Sequence, residues 1–339
     1  MLGFPLQGGN NVRRRQFTTA SIVALASAAS GGAALPVRAQ GKITGDVRFL
    51  CGFPPGGNAD LLCRLLAESA KSEIGQNIIV ENKAGAGGFI ANETLANAAP
   101  DGRTIGLAAM AAMAVSPVMP GLKLPINVDT DLTPIGPVAN VYNILVFAKS
   151  APFRTVPEMI ETAKKNPGKL TYASAGNGTS QHLAGELFKK MAGVDLLHVP
   201  YRGGAPAIQD MVAGNVQMMF GNLPEFLGQI SAGNLIPIAF GGASRAPQFA
   251  SVPLMSQWLP GYRVDNWFAV FGPRNMPAII VDLWNKALRA ALAKPDLQKR
   301  YADNAMEVVT GSPADLKATI AADRKKWQEI IQAVGMKNE

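Results

Sequence analysis

The chain has 339 residues, 48% of them hydrophobic, and a formal net charge of +8. That composition excludes a disordered chain, and no apolar run has the length and purity of an internal membrane span. The charge is uneven: residues 1–39 hold Arg13, Arg14, Arg15 and Arg38 and no acid, so without them the excess falls to +4. No basic run interleaved with aromatics remains to suggest nucleic acid.

The first 39 residues carry the marks of an export signal. Arg13-Arg14-Arg15 is a basic region, and residues 21–35 are apolar but diluted with Ala, Ser and Gly. Val37-Arg38-Ala39 forms an A-x-A-like cleavage site before Gln40. Arg14-Arg15-Gln16-Phe17 resembles the twin-arginine core, and the weakly hydrophobic centre fits that route better than a general secretory signal. A periplasmic mature chain is expected. Export permits a disulfide between the two cysteines, Cys51 and Cys63, and two buried small hydrophobes are the alternative. With two histidines on separate elements, these cysteines do not make a four-ligand zinc site, so no metal is expected.

A short apolar strand is expected at 46–51. Pro54-Pro55-Gly56-Gly57 cannot continue it and permits tight turns. A helix over 59–74 follows, capped by Asn58 or Asp60, apolar along Leu61, Leu62, Leu65 and Leu66, and stopped by Gly75. Strand, glycine loop and helix N-terminus aim several backbone N–H groups at one spot, which suits an anion. Ile78-Ile79-Val80 is a second buried strand, followed by a glycine loop at 84–88 and a helix at 90–98. Pro100-Asp101-Gly102 turns into a third strand at 104–107. Three β-loop-α units read as a parallel sheet flanked by helices, and the proline-rich stretch 116–137 breaks the pattern.

A second block begins with a strand at 141–147. Helices are expected at 156–165, 180–191, 205–213 and 223–231, and strands at 169–174, 196–199, 216–220 and 235–240. Glycine loops fall at 175–178 and 201–204. Residues 241–261 are loop-rich, 262–271 suggests a long strand, and helices follow at 278–293, 296–302 and 313–334. The tail has too few strands for a third domain, so it returns to complete the first. The expectation is an α/β protein of two lobes, each a mostly parallel sheet flanked by helices, with a ligand cleft between them. Lobe one takes residues 40–139 and 245–339, and lobe two takes 140–244.

The loops exclude several chemistries. Gly85-Ala86-Gly87-Gly88 begins like a dinucleotide fingerprint but has Ile90 in the third glycine's place and follows the second strand; Gly176-Asn177-Gly178 fails at Gln181. There is no phosphate-binding P-loop, and no cofactor is implied. Ser174, Asp195 and His198 run in a hydrolase order, but Tyr172 stands where a nucleophile elbow wants glycine. Ser174 is read instead as an end-of-strand residue whose hydroxyl faces the cleft. His182, at a helix start, either donates to a ligand oxygen or braces its loop; His198 is structural. Loop 175–180 repeats the design of the opening stretch, with Thr179 and Ser180 at a helix start. Two such cradles, one per lobe, suit the two ends of a short acid, because amide bonds to a carboxylate need no cationic partner. Arg202 is the cationic alternative, read as a surface or interlobe ion pair.

At these residues the chain resembles the tripartite tricarboxylate transporter substrate-binding proteins, also called Bug receptors. The shared stretches are Phe53-Pro54-Pro55-Gly56-Gly57 with Asp60 and Arg64, and Val80-Glu81-Asn82-Lys83-Ala84-Gly85-Ala86-Gly87-Gly88. Also shared are Ser174-Ala175-Gly176-Asn177-Gly178-Thr179-Ser180 with His182 and Glu186, and Val199-Pro200-Tyr201-Arg202-Gly203-Gly204. Pro100-Asp101-Gly102, Trp267, Pro273, Gly311, Pro313 and Trp327 extend the resemblance over nearly all of the chain beyond residue 39. It implies a periplasmic-binding-protein-like receptor, not an enzyme, that closes as a monomer on a small organic carboxylate. Integral membrane transporter subunits are the implied partner, with a signalling partner as the alternative. Carried over by position, lobe one offers Phe53, Gly56, Gly57, Asn58, Asp60, Ala86, Gly87 and Gly88. Lobe two offers Ser174, Gly178, Thr179, Ser180, His182, Tyr201 and Asn222. Phe53 would pack on the ligand, and Asp60, an anion itself, would cap the helix and hold a water. Many members carry Phe-Asp where this chain has Phe220-Gly221-Asn222. The lost acid removes a partner for an amino group and favours a plain mono- or dicarboxylate.

Overall fold

Strand β1 (Val47–Cys51) buries every residue except Arg48, so it lies inside a sheet. It runs parallel to both neighbours, β2 (Ile78–Asn82) and β3 (Thr104–Ala109), with Leu50 facing Glu81 and Gly106. The structure is a computed structural model that describes residues 42–335; the expected export signal at 1–39 lies outside them. Helix α1 (Asn58–Ile74) follows β1 and stops at Gly75, which turns left-handed at φ 70° and returns its N–H to Lys71. Helix α2 (Phe89–Ala96) follows β2, as expected.

The proline-rich stretch contains a strand that the sequence hid. β4 (Leu132–Val141) pairs along its whole length with the later strand β10 (Asn266–Pro273). Its other side is covered only at 139–141, by the short β11 (Met306–Val308). Pro134 and Pro137 therefore stand where β4 has one neighbour, and the pairing slips beside each of them. An edge with bulges is where a sheet tolerates proline. The sheet order is β11-β4-β10-β3-β1-β2, with β10 and β11 antiparallel to the rest.

One residue, Tyr142, separates β4 from β5 (Asn143–Ala148), which belongs to a second sheet. That sheet adds β6 (Thr171–Ser174), β7 (Leu197–Pro200), β8 (Met218–Asn222) and β9 (Leu235–Phe240) in the order β7-β6-β8-β5-β9. Only β5 runs against the others. Its helices are α3 (Val156–Lys165), α4 (Ser180–Ala192), α5 (Gly204–Val212) and α6 (Leu223–Ser231). Beyond β9 the chain stays on this sheet. Phe240 donates its N–H to Pro253, Ala246 and Val252 pack with Ile144 and Phe240, and the Tyr262 hydroxyl donates to the Ala184 carbonyl at 2.9 Å. The return therefore falls at Val264 to Asn266, and the long strand expected from 262 begins only at Asn266.

The tail completes the first sheet with α7 (Ala278–Leu292), α8 (Pro295–Asp303), β11 and α9 (Pro313–Val334). Leu316, Trp327 and Ile331 of α9 join one buried apolar cluster that includes Leu50 and Phe89 of the first lobe and Leu183, Phe188 and Phe220 of the second. Cys51 and Cys63 are free thiols, both fully buried.

Candidate functional site

Four helices begin at one cavity. Gly57 and Asn58 start α1, Thr179 and Ser180 start α4, Gly203 and Gly204 start α5, and Asn222 precedes α6; all line the same space between the lobes. Helix N-termini present unpaired N–H groups and the positive end of the dipole, so the convergence favours an anion. The lobes touch over it. A Cβ on Gly203 would lie 2.8 Å from Pro54 of the other lobe, and one on Gly87 would lie 3.3 Å from the Asn177 carbonyl. Phe53 borders both this cavity and an outer mouth, where it meets Ala86, Gly88, Tyr201 and Arg202.

Asp60 holds the opening loop rather than capping the helix. Its Oδ2 accepts from the Gly56 N–H at 3.0 Å and from Arg64 Nε at 2.9 Å, and its Oδ1 accepts from Asn82 Nδ2 at 2.8 Å. The residue at the cap position is Gly57, which makes no side-chain bond. Burial works against ionised Asp60, but the bonds from Arg64, Gly56 and Asn82 prevail and hold its carboxyl below the ordinary range. The Gly56 N–H is spent on Asp60 and Gly56 lies outside the cavity lining, whereas Gly57 and Asn58 lie within it. In the second loop, Ala86, Gly87 and Gly88 all take positive φ; the Gly88 N–H is spent on Gly85, and Gly87 is the one that reaches the inner cavity.

In lobe two the expected cleft-facing hydroxyl is also corrected. Ser174 is fully buried, with its Oγ 2.7 Å from His198 Nε2 and bonded to both the N–H and the carbonyl of Gly176. It braces the loop because its partners all lie on the protein side. Thr179 caps α4, donating to the Gly176 carbonyl and accepting the His182 N–H. His182 Nδ1 accepts the Gly178 N–H at 3.2 Å, and its ring stacks on His198 at 4.2 Å, so it is a brace as well. The Tyr201 hydroxyl donates to Asp210 at 2.6 Å and is pushed up to about 12, by burial and then by that acid. Ser180 and Asn222 line the inner cavity as expected.

The Ser174–His198 contact has the spacing of a nucleophile and its base. Ser174 has no exposed surface, however, and among the described residues no bond joins the Asp195 side chain to His198. Burial, with His182 beside it, lowers His198 to about 4 and keeps the ring neutral. The geometry holds a loop and offers no reachable nucleophile.

Three polar cavity residues escaped the sequence reading. Gln181 registered only as a broken glycine motif, and Asn266 lay inside an expected strand. Among the described residues, Glu225 is the one acidic or basic side chain in the cavity lining. It occupies the third position of α6 behind Pro224, a helix-start pattern that marks a carboxylate near converging N–H groups.

A family model described as the tripartite tricarboxylate transporter family receptor matches residues 62–336. Among solved structures, a protein of R. palustris determined with adipate, Rpa4515, is 31% identical with a TM-score of 0.83, covering 87% of this chain and 98% of its own. The periplasmic binding protein BugD is 31% identical, TM-score 0.82, over 87% of this chain and 99% of its own. MatC of Rhodopseudomonas palustris, with bound malate, is 27% identical, TM-score 0.81, over 85% and 99%.

Proposed function

Because the chain belongs to the tripartite tricarboxylate transporter family of receptors, we propose that it captures a small organic carboxylate between its lobes and presents it to the membrane subunits of such a transporter. The observation that carries this reading is the meeting of helix N-termini at one cavity, together with Asn58 Nδ2, a buried donor with no partner there. A carboxylate would accept from that amide and from the helix-end N–H groups. The family and fold are those of solute-binding receptors, and relatives of this chain hold adipate and malate.

The ligand contacts of this reading are Phe53, Gly57, Asn58 and Gly87 in lobe one and Thr179, Ser180 and Asn222 in lobe two. Capture shifts an equilibrium between open and closed forms, and the closed form is the one a partner recognises. The mature protein works as a monomer in the periplasm, reached by the twin-arginine route that Arg14 and Arg15 suggest.

The test is a thermal-shift screen of purified protein, unfolded and refolded to strip co-purified ligand, against mono-, di- and tricarboxylates. A ligand at 100 times its dissociation constant adds about 2.7 kcal/mol of stability. Silence across every acid would defeat the reading. Gly57→Val should abolish the shift by placing a branched side chain in the cradle, and Lys325→Ala, on the exposed face of α9, should leave it unchanged.

A further inference from the structure

The cavity lining holds two chemically distinct groups of side chains, one on α1 and one around α6 and β10, taken as its two ends. At one, Asn58 Nδ2 is an unpartnered donor on a residue only 7% exposed, beside the first turn of α1. At the other, a chain of amides spends donors on protein acceptors. Asn266 Nδ2 donates to Asn222 Oδ1 at 3.0 Å, Asn222 bonds Glu225, and Gln181 Nε2 donates to both Glu225 oxygens at 3.2 and 3.0 Å. Gln181 Oε1 is fixed in turn by the Ala175 N–H, which sets the orientation of its amide. The atoms left over at this end are acceptors. Asn266 Oδ1 is unpartnered on a residue 3% exposed, and Glu225, with three bonds on about four lone-pair sites, keeps one acceptor site open.

A plain mono- or dicarboxylate answers only the first end. It offers Asn266 Oδ1 no hydrogen, and a second carboxylate placed there would set its oxygens against those of Glu225, with no lysine or arginine among the described lining residues to offset the repulsion. Glu225 stands close against Gly204, where any side chain would collide with it, so it has no room to withdraw on that side.

We propose that Glu225 and Asn266 Oδ1 form a donor-seeking subsite, so that the receptor selects carboxylates bearing a nearby ammonium or hydroxyl group over their unsubstituted counterparts. This rests on the carboxylate reading above and narrows it. It also reverses the expectation drawn from Gly221: the acid missing at that position is supplied by Glu225, from the next helix.

The experiment measures dissociation constants by calorimetry, on stripped protein, for matched acids: succinate, malate and aspartate, then adipate and 2-aminoadipate. The amino or hydroxy member of a series should bind about tenfold or more tightly than the plain one. Glu225→Gln, which keeps shape and removes charge, should cut that preference to about threefold or less. The ammonium and hydroxyl arms tell which donor the subsite takes. Glu225→Ala repeats the comparison if the glutamine variant folds poorly. Equal binding of plain and substituted acids, or a preference that survives both variants, overturns the subsite while leaving the carboxylate reading intact. Failure of every acid to bind removes both.

Discussion

Glu225 illustrates what one half-buried, desolvated carboxyl does to a whole protein. Burial raises it to about 7, with Gln181 and Asn222 pulling it partly back. In the fold it keeps its proton up to that pH, while in the unfolded chain it loses it near 4.5. The folded state therefore binds more protons between those values, and stability falls as pH rises from about 4.5 through 7. Glu225→Gln has no proton to lose. Its stability relative to the parent should grow across that window, by on the order of 3 kcal/mol at most, read from denaturant midpoints at pH 5 and pH 8. His198, lowered to about 4 chiefly by burial, acts in the opposite direction, losing stability as pH falls from 6.5. It is common to both proteins and cancels in the comparison. An identical pH slope in the two would mean that the Glu225 carboxyl is solvated.

At this scale the sequence was informative about which loops border the cavity. Gly57, Asn58, Gly87, Thr179 and Ser180 line it, and their loops were readable because glycine loops and helix caps have local signatures. Ser174 was misplaced because its hydroxyl is claimed by His198, 24 positions away, and nothing local records that pairing. Asp60 was read as a cap for the same reason: its true partners include Asn82 on another strand.

Among elements, strands and helices that alternate at βα spacing were legible throughout both lobes. β4 was not, since two prolines contradict a strand unless one knows that its outer side is open, and that depends on β11, more than 160 residues later. The loops that meet across the cleft allow an element-level test. Gly203 sits at φ +116° with Pro54 of the opposite lobe where its side chain would be. Gly203→Ala should therefore penalise closure and weaken ligand binding about tenfold or more. Gly45→Ala is the control: it also bears a positive φ, +90°, but meets nothing within 4 Å, so it should lower the melting temperature slightly and leave affinity untouched. Equal affinity in parent and Gly203→Ala would show that the 53–57 and 201–204 loops separate in the ligand-bound form.

In the whole molecule, two sheets are joined by the single residue Tyr142 in one direction and by Val264 to Asn266 in the other, and one apolar cluster nevertheless runs through both lobes and α9. In the open–closed cycle proposed above, separating the lobes would expose part of that cluster to water and closing them would bury it again. Closure thus carries the thermal signature of hydrophobic burial, a negative heat-capacity change, beyond what a small acid could contribute by its own dehydration. The binding enthalpy should grow more exothermic with each rise in temperature, measurable by calorimetry at four or so temperatures, and a flat enthalpy would mean that the cluster travels intact with one lobe. The affinity of a protein built this way follows a curve with temperature, highest where the binding enthalpy passes through zero and falling on either side.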